Sequence, residues 1–338
     1  ETGRIITGVM ILSVPQKDRI MIRTEKRKHI FLTLLLTATV LTGCAERKPT
    51  LEQVLKKTAE YEQETVTSPS SDSLGGEWTV IPLARSGETV SDDYFKKYTE
   101  NLIKKLKEQD GILSDYKYTE YSRATLAVRA VGENPEDIGG YNIEKPLEDF
   151  DTVISQGLNG AVFALLALNA DGEGVEGELE QKYLQYILSQ EKKNGGFSLD
   201  NNSEQGDTDM TAMTLQSLEP YQEENNVRDT IDKGIQFLAD AQASDGGYMA
   251  YGEKSSESIS QTIIALSTYG IDCNSDSRFI KEGKGLFDTL MEYYQKDGGF
   301  SHTLDGTANP MATDQAFCAL VSYERFKNDR NSLYNMTD

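Results

Sequence analysis

The sequence predicts an all-α protein folded as an α/α toroid, with about six inner and five to six outer helices. A Gly-Gly-aromatic tripeptide occurs four times, starting at Gly139, Gly195, Gly246 and Gly298, at separations of 56, 51 and 52 residues. Segments with helical periodicity lie on both sides of these tripeptides, and no strand pattern of any length accompanies them. Alternating helices in repeats of roughly 50 residues can stack openly or close, and six pairs are enough to close a ring.

The two layers of the toroid are predicted from two kinds of helical segment. Segments with small and apolar residues at helical spacing fit an inner layer: 121–131, 208–218, 259–269 and 313–323. More highly charged segments with one apolar stripe fit an outer layer: 92–108, 175–190, 228–241 and 278–294. Two further helices, 51–63 and 72–84, are predicted as an additional pair at the start. The segment 132–150 is predicted to lack the full outer helix that the other repeats have.

The glycine pairs have a structural interpretation. Glycine adopts positive φ at low cost, so a pair of glycines lets the chain reverse sharply after an outer helix. The aromatic residue is then expected to pack beneath the turn. We therefore predict that these tripeptides support the fold and carry no chemistry.

The N-terminal region has the pattern of a secretion signal. Basic residues precede an apolar run at 30–40, which is too short for a membrane span. Leu41-Thr42-Gly43-Cys44 resembles the lipobox of bacterial lipoproteins, which implies that Cys44 carries the lipid. We expect a non-native upstream segment (1–20), a signal peptide (21–43), a lipid-attached linker (44–50), the toroid (51–330) and a tail (331–338). The expected location is the extracytoplasmic face of a bacterial membrane.

Composition excludes several classes of protein. Asp and Glu number 55 against 34 Lys and Arg, for a net charge of −21, which disfavours nucleic acid as a partner. The acidic body also disfavours anionic lipid headgroups, so the N-terminal lipid is the predicted link to the membrane. Three cysteines are too few for a disulfide scaffold or a Cys-rich zinc module.

The repeats resemble those of a known family. The run 233–238, followed by Gln242 and Gly246-Gly247-Tyr248, is similar to the QW repeat of terpenoid cyclases. Protein prenyltransferase β subunits, complement thioester domains and vitamin B12 carriers share this repeat, and the resemblance implies their α/α toroid over residues 72–327. Stretches at 77–78, 85–87, 117–123 and 139–142 further resemble secreted bacterial transcobalamin-like proteins. That resemblance makes a corrinoid a candidate ligand, although the B12 carriers hold it between two domains; no cofactor is predicted.

An enzymatic alternative rests on Asp207-Thr208-Asp209-Met210-Thr211-Ala212. It is similar to the Asp-x-Asp-Asp-Thr-Ala motif of class II terpene cyclases, in which the position of Asp209 donates the proton. Such an acid must stay protonated through burial and neighbouring carboxyls. Met210 replaces the acid that tunes the donor, so the resemblance implies a degenerate cyclase or prenyltransferase-like enzyme. In the competing interpretation Asp207 or Asp209 caps the helix.

Other chemistries find less support. His302, Cys318 and Asp314 do not have the spacing of the prenyltransferase zinc ligands, so no metal is predicted, and no Cys-Gly-Glu-Gln run exists for a thioester. A carbohydrate-active enzyme would need paired carboxylates. Acids near the predicted inner-helix starts supply candidates: Glu77, Glu120, Asp207, Asp209, Glu257 and Asp314. A Cys273–Cys318 disulfide stays open.

The leading hypothesis is a non-enzymatic module that binds a small polar ligand or a surface protein. In a closed ring the inner-helix starts gather at one mouth, where aromatic, amide and charged side chains suit a polar, partly flat ligand. The predicted ligand-binding residues are Trp78, Tyr118, Tyr121, Arg123, Gln156, Asn159, Asp209, Tyr248, Gln261, His302, Asp314 and Gln315. The tyrosines and Trp78 could equally be core packing, and a ring plugged by side chains would be purely structural.

Overall fold

A computed structural model describes residues 48–172, 177–250 and 252–338. The predicted signal peptide and Cys44 lie outside these residues. By its contacts the chain divides after Pro49, and the unit Thr50–Asp338 contains all the described helices. None of these helices is long and apolar enough to cross a membrane.

Twelve α-helices in the described residues confirm the all-α prediction. They are α1 (Leu51–Thr65), α2 (Trp78–Arg85), α3 (Asp92–Glu108), α4 (Thr119–Ala130), α5 (Phe150–Ile154), α6 (Leu158–Asn169), α7 (Glu178–Ser189), α8 (Thr208–Leu218), α9 (Asn225–Ala241), α10 (Ser256–Thr268), α11 (Leu286–Leu290) and α12 (Pro310–Lys327). Each even-numbered helix packs against the next even-numbered one, and α12 packs against α2. The six inner helices therefore form a closed ring, as predicted.

The composition of each layer follows its surroundings. Helix α10, in the inner layer, is buried on almost every side, from Ser256 to Ser267. Helix α9, in the outer layer, buries one stripe that includes Val227, Ile231, Ile235 and Leu238 and exposes its charged face. Side-chain caps start the inner helices α8, α10 and α12, at Asp207, Ser255 and Asn309.

Three of the four glycine pairs form the same turn. Gly195, Gly246 and Gly298 have φ of 79°, 95° and 109°, in the region that favours glycine. In each turn the carbonyl of the second glycine accepts a backbone hydrogen bond from the residue four positions earlier, at 2.8–2.9 Å. The aromatic residues that follow, Phe197, Tyr248 and Phe300, are fully buried, as the structural interpretation predicts.

The first glycine pair differs from the others. Gly139 and Gly140 both have positive φ, and Ile138 and Tyr141 exchange backbone hydrogen bonds across them in a tight hairpin turn. This turn follows the inner helix α4, and Tyr141 is only partly buried. Two 3₁₀ turns and the five-residue α5 replace a full outer helix here, in agreement with the predicted loss at 132–150.

Three predictions about the elements are wrong in detail. The predicted outer helix 278–294 is reduced to α11 and one 3₁₀ turn, because Glu282 and Gly283 have positive φ in a tight turn before it. The predicted helix 72–84 begins only at Trp78, since Gly75 has a φ of 66° and Gly76 is also non-helical. A two-residue antiparallel hairpin, β1 (Met249–Ala250) and β2 (Glu253–Lys254), was not expected.

The chain termini complete the ring. Thr58 of α1 donates a hydrogen bond of 2.9 Å to the Gly298 carbonyl, so the first outer helix is fastened to the last glycine turn. The segment 331–338, predicted to be a tail, crosses the C-terminal end of the inner helices. There the Asp338 carboxylate pairs with Arg85 at 2.7 Å and with Arg325, and the Met336 amide donates to the Ala170 carbonyl at 2.7 Å.

Candidate functional site

The ring encloses a cavity of about 210 Å³, which we call the central chamber. Every inner helix contributes to its wall, and Tyr334 of the C-terminal segment also borders it. The lining residues are Trp78, Thr119, Arg123, Asn159, Phe163, Met213, Gln216, Gln261, Asp314, Gln315, Cys318 and Tyr334. Trp78 and Thr119 are the first residues of their helices and Asn159 is the second, so the chamber reaches the mouth formed by the inner-helix starts, while Tyr334 borders it from the opposite end of the ring.

One part of the chamber wall is aromatic and another carries amides. The rings of Trp78 and Phe163 lie 5.7 Å apart at an angle of 58°. Gln216 donates to the Gln261 side-chain oxygen at 3.0 Å, and Gln261 donates to that of Gln315 at 3.2 Å. Each amide has further donor or acceptor capacity, so this series can hydrogen-bond a polar ligand.

Arg123 brings a positive charge to the chamber. Its Nε lies 3.7 Å from the Glu77 carboxylate, and its guanidinium donates to the Thr119 carbonyl at 3.5 Å. The buried Nε atom has no hydrogen-bond partner. Burial raises the pKa of Glu77 to about 7, although the charge of Arg123 opposes that shift. The guanidinium is therefore weakly engaged and has donors available for an anionic group.

Asp314 is the one carboxyl among the chamber-lining residues. It accepts a 2.7 Å hydrogen bond from Thr79, and Glu62 of α1 lies behind it. Asp314 and Glu62 are 2% and 3% exposed, so both side chains are largely shielded from bulk solvent. Burial raises the pKa of both groups, and the charge of Asp314 raises that of Glu62 further. The pair therefore favours a protonated acid at neutral pH.

A second polar cluster lies between α8, α10 and the loop before α12. His302 Nδ1 lies 2.8 Å from Glu257, and its Nε2 lies 3.4 Å from Glu253 of β2. The hydrogen bond with Glu257 is the main cause of the raised pKa of His302. Burial also raises the pKa of Asp209, partly offset by a hydrogen bond with Ser258, and one Asp209 oxygen is buried without a partner.

The two aspartates of the cyclase-like motif have different surroundings. Asp207 caps α8 by accepting from the Met210 amide at 2.8 Å, as the capping interpretation holds. Asp209 does not line the chamber, but it lies four residues, about one helical turn, before Met213, which does. Glu257 likewise lies four residues, about one helical turn, before Gln261, which lines the chamber.

Half of the predicted ligand-binding residues line the chamber: Trp78, Arg123, Asn159, Gln261, Asp314 and Gln315. Gln156 instead joins two loops, since its side chain bonds the Tyr116 carbonyl and accepts from the Thr119 amide. The rings of Tyr118 and Tyr121 lie 5.6 Å apart.

Two predicted tyrosines lie in packed surroundings. The Tyr121 hydroxyl accepts from the Leu113 amide at 3.0 Å, and Tyr121 is buried. Tyr248 is fully buried beneath its glycine turn, where burial raises its pKa. Both positions match the alternative interpretation of the tyrosines as core packing.

Sequence reasoning missed Thr119, Phe163, Met213, Gln216, Cys318 and Tyr334. Phe163 follows the predicted Asn159 by four residues, so helical spacing could have indicated it. Tyr334 had no such signal, because its place depends on the path of the C-terminal segment. Cys273 and Cys318 are both buried free thiols. In the described ranges, no group of three or more His, Cys, Asp or Glu residues could hold a metal ion.

The architecture and cavity define a closed α/α toroid with a polar internal chamber. The model of the prenyltransferase α/α toroid domain family matches residues 142–337, more than half of the chain. The protein therefore belongs to the prenyltransferase α/α toroid domain family. No curated protein sequence matches it significantly.

Solved structures share this fold at low sequence identity. A polysaccharide lyase aligns with a TM-score of 0.53 and 12% identity, over 82% of this chain and 97% of its own. An unsaturated glucuronyl hydrolase from Bacillus sp. GL1, described as responsible for the degradation of glycosaminoglycan, aligns with a TM-score of 0.53 and 13% identity, over 83% and 97%. At such identities the likeness shows the fold alone.

Proposed function

We propose that this protein is a lipid-anchored, extracytoplasmic binding protein that holds one acidic sugar unit in the central chamber without transforming it. The observation that carries the proposal is the composition of the chamber wall. It combines two aromatic rings, a series of amides and an arginine around a volume of about 210 Å³. A few placed polar groups among apolar ones are typical of sites that orient a small ligand.

The wall suits a sugar better than the other ligands considered. The C–H face of a pyranose can pack against Trp78 and Phe163, while its hydroxyls exchange hydrogen bonds with the glutamine series. A corrin macrocycle is larger than this cavity of about 210 Å³. A polyprenyl chain would bury the charge of Arg123 and the remaining donors and acceptors of the amides without giving them hydrogen bonds, which is costly.

Arg123 favours a sugar that carries a carboxylate. A guanidinium binds a carboxylate through two parallel hydrogen bonds, and Arg123 is held only by long contacts to Glu77 and Thr119. Protonation of Glu77, whose pKa is raised to about 7, would leave more of the positive charge for the ligand. The carbohydrate enzymes of the same fold are consistent with this class of ligand.

The arrangement of acids favours binding over hydrolysis. Glycosidases of the common types place two carboxyls about 5–10 Å apart across the bond that is cleaved. Among the described residues that line the chamber, Asp314 is the only acid, and it is tied to Thr79. A degenerate cyclase-like enzyme remains the second candidate, because burial keeps the pKa of Asp209 raised, as a proton donor requires.

We expect calorimetry to show that glucuronate binds the wild-type protein at least about tenfold more tightly than glucose, since a charge-assisted hydrogen bond contributes about 1.5–3 kcal/mol. Arg123→Gln should remove this preference. The exposed Arg228→Gln serves as the matched control and should retain it.

The same samples decide between binding and catalysis. Uronate-containing polysaccharides and a polyprenyl diphosphate should yield no unsaturated sugar, no new reducing ends and no cyclised product. Failure of both sugars to bind would contradict the proposal. Product formation that is lost in Asp209→Asn would instead support the cyclase-like candidate.

The anchor is tested separately from the chamber. In a bacterial host we expect the wild-type chain to take up labelled fatty acid and to sediment with membranes, because Cys44 follows a lipobox-like sequence. Cys44→Ala should abolish both, whereas Thr33→Ala in the apolar run should change neither. Lipid labelling that persists in Cys44→Ala would contradict the proposed anchor.

A further inference from the structure

The exposed large hydrophobic side chains are confined to one end of the described molecule. All of them lie in the segments between an outer helix and the following inner helix, or in the first turn of α12. They are Leu74, Ile112, Tyr116, Leu199, Met249, Leu304 and Met311, which we call the mouth rim. Each is at least 46% exposed, and Tyr116 reaches 72%.

These segments surround the mouth of the chamber. The opposite end of the ring is marked by the C-terminal segment, which contacts Arg85, Ala170, Glu219 and Arg325 at the ends of four inner helices. Because the inner helices are parallel, their starts and the preceding loops gather at the other end. Five of the six inner-helix starts carry a mouth-rim residue.

Such a distribution differs from ordinary surface hydrophobicity. Singly scattered apolar side chains need no explanation, whereas their collection on one face marks an interaction surface. The sides formed by the described outer helices and the end covered by the C-terminal segment carry no exposed large hydrophobic residue.

Two neighbouring loops of the rim are joined to each other, so this part of the surface needs little ordering on binding. The Ser256 amide donates to the His302 carbonyl at 3.1 Å. The His302 ring meets Glu257 and Glu253, which joins the hairpin that carries Met249 to the loop that carries Leu304. A surface that is already ordered loses less entropy when a partner docks.

The charge of the loops around the mouth rim indicates which kind of partner would bind there. In the loops 66–77, 109–118, 190–207, 242–250, 252–255 and 294–309, acidic residues outnumber basic ones; the acids include Asp115, Asp200, Glu204, Glu253 and Asp305. A second copy of this face, or a membrane rich in anionic lipid, would meet like charge. A basic surface would be attracted.

We propose that the mouth rim docks a partner protein through a basic, amphipathic segment. Apolar side chains of that segment pack against the rim while its Lys and Arg residues meet the surrounding acids. The proposal goes beyond sugar binding and rests on different residues. Because Trp78, Thr119 and Asn159 bring the chamber to the inner-helix starts, a docked partner would cover the end of the ring from which the chamber is reached.

The test uses two labelled helical peptides, one of Leu and Lys and one of Leu and Glu, with fluorescence anisotropy as the readout. We expect the Leu–Lys peptide to bind, to weaken as salt rises, and to outcompete the Leu–Glu peptide by at least tenfold. The triple variant Met249→Ser, Leu304→Ser and Met311→Ser should lose at least tenfold in affinity for the Leu–Lys peptide. The outer-face control Asn226→Ser with Gln236→Ser should not.

Thermal unfolding followed by circular dichroism checks that the triple variant keeps its fold, and this control does not depend on the sugar proposal. Glucuronate calorimetry on the same variant then measures the two proposals separately. Equal binding of both peptides, or an unchanged affinity in the triple variant, would overturn the proposal. Phosphatidylglycerol vesicles bound through the rim, or self-association abolished by the triple variant, would overturn it in favour of a membrane or a second copy.

Discussion

Gly298→Ala is expected to destabilise the toroid by more than about 3 kcal/mol, which lowers Tm by roughly 5 °C or more for a domain of this size. The φ of Gly298 is 109°, which an L residue rarely adopts. An added Cβ would stand 2.6 Å from the Lys57 carbonyl oxygen and 3.1 Å from the Tyr61 Cβ. The substitution therefore pushes α1 away from the last glycine turn, where Thr58 closes the ring. Thermal unfolding followed by circular dichroism measures the loss.

Gly140→Ala is the matched control for this effect. Its φ of 88° carries similar backbone strain, but an added Cβ would meet nothing within 4 Å. We expect this substitution to lower the free energy of unfolding by about 1–2 kcal/mol, which is the cost of the left-handed backbone conformation alone. Equal losses from the two variants would show that contact with α1 does not hold the ring closed.

Glu62→Gln is expected to stabilise the protein above neutral pH. Burial raises the pKa of Glu62, so the folded state binds more protons than the unfolded chain in the range above the ordinary carboxyl value of 4.5. The contribution of this group to the free energy of unfolding is therefore fully present below pH 4.5 and is lost as the pH rises towards the raised pKa of Glu62. An amide cannot ionise, so the variant should gain at least about 1.4 kcal/mol at pH 8, equivalent to one pKa unit.

Glu60→Gln provides the comparison, because Glu60 is exposed on the same helix. Denaturant unfolding at pH 4, 6 and 8 should show a growing advantage for Glu62→Gln and none for Glu60→Gln. A constant difference across this range would contradict the assignment of the proton to the pair of Glu62 and Asp314.

The ring itself could be predicted from the sequence because its signals are local and repeated. The glycine turns at Gly195, Gly246 and Gly298 need only positive φ and a following aromatic residue. The predictions that failed concern elements whose structure depends on contacts between residues far apart in the sequence. A periodic apolar pattern could not show that a left-handed turn at Glu282 shortens the helix before Tyr294. Nor could it show that Asp338 would bind Arg85 and Arg325.

The same distinction applies to the chamber. Trp78, Arg123 and Asn159 were predictable because inner-helix starts gather at one mouth of a closed ring. The pairing of Asp314 with Glu62 was not, since it joins α12 to α1 from opposite ends of the sequence. Tyr248 and Tyr121 could not be assigned from residue type alone, because a tyrosine near the mouth can either line the chamber or pack in the core, and both of these are buried.

Fluorescence of Trp78 tests the occupied chamber most directly, because Trp78 is the sole tryptophan of the chain and forms part of the chamber wall. Titration with glucuronate should change its emission in a saturable way and reduce its quenching by acrylamide, and Arg123→Gln should weaken both responses. If glucuronate binds by calorimetry but leaves the emission and quenching of Trp78 unchanged, the sugar lies elsewhere and the chamber is not the binding site.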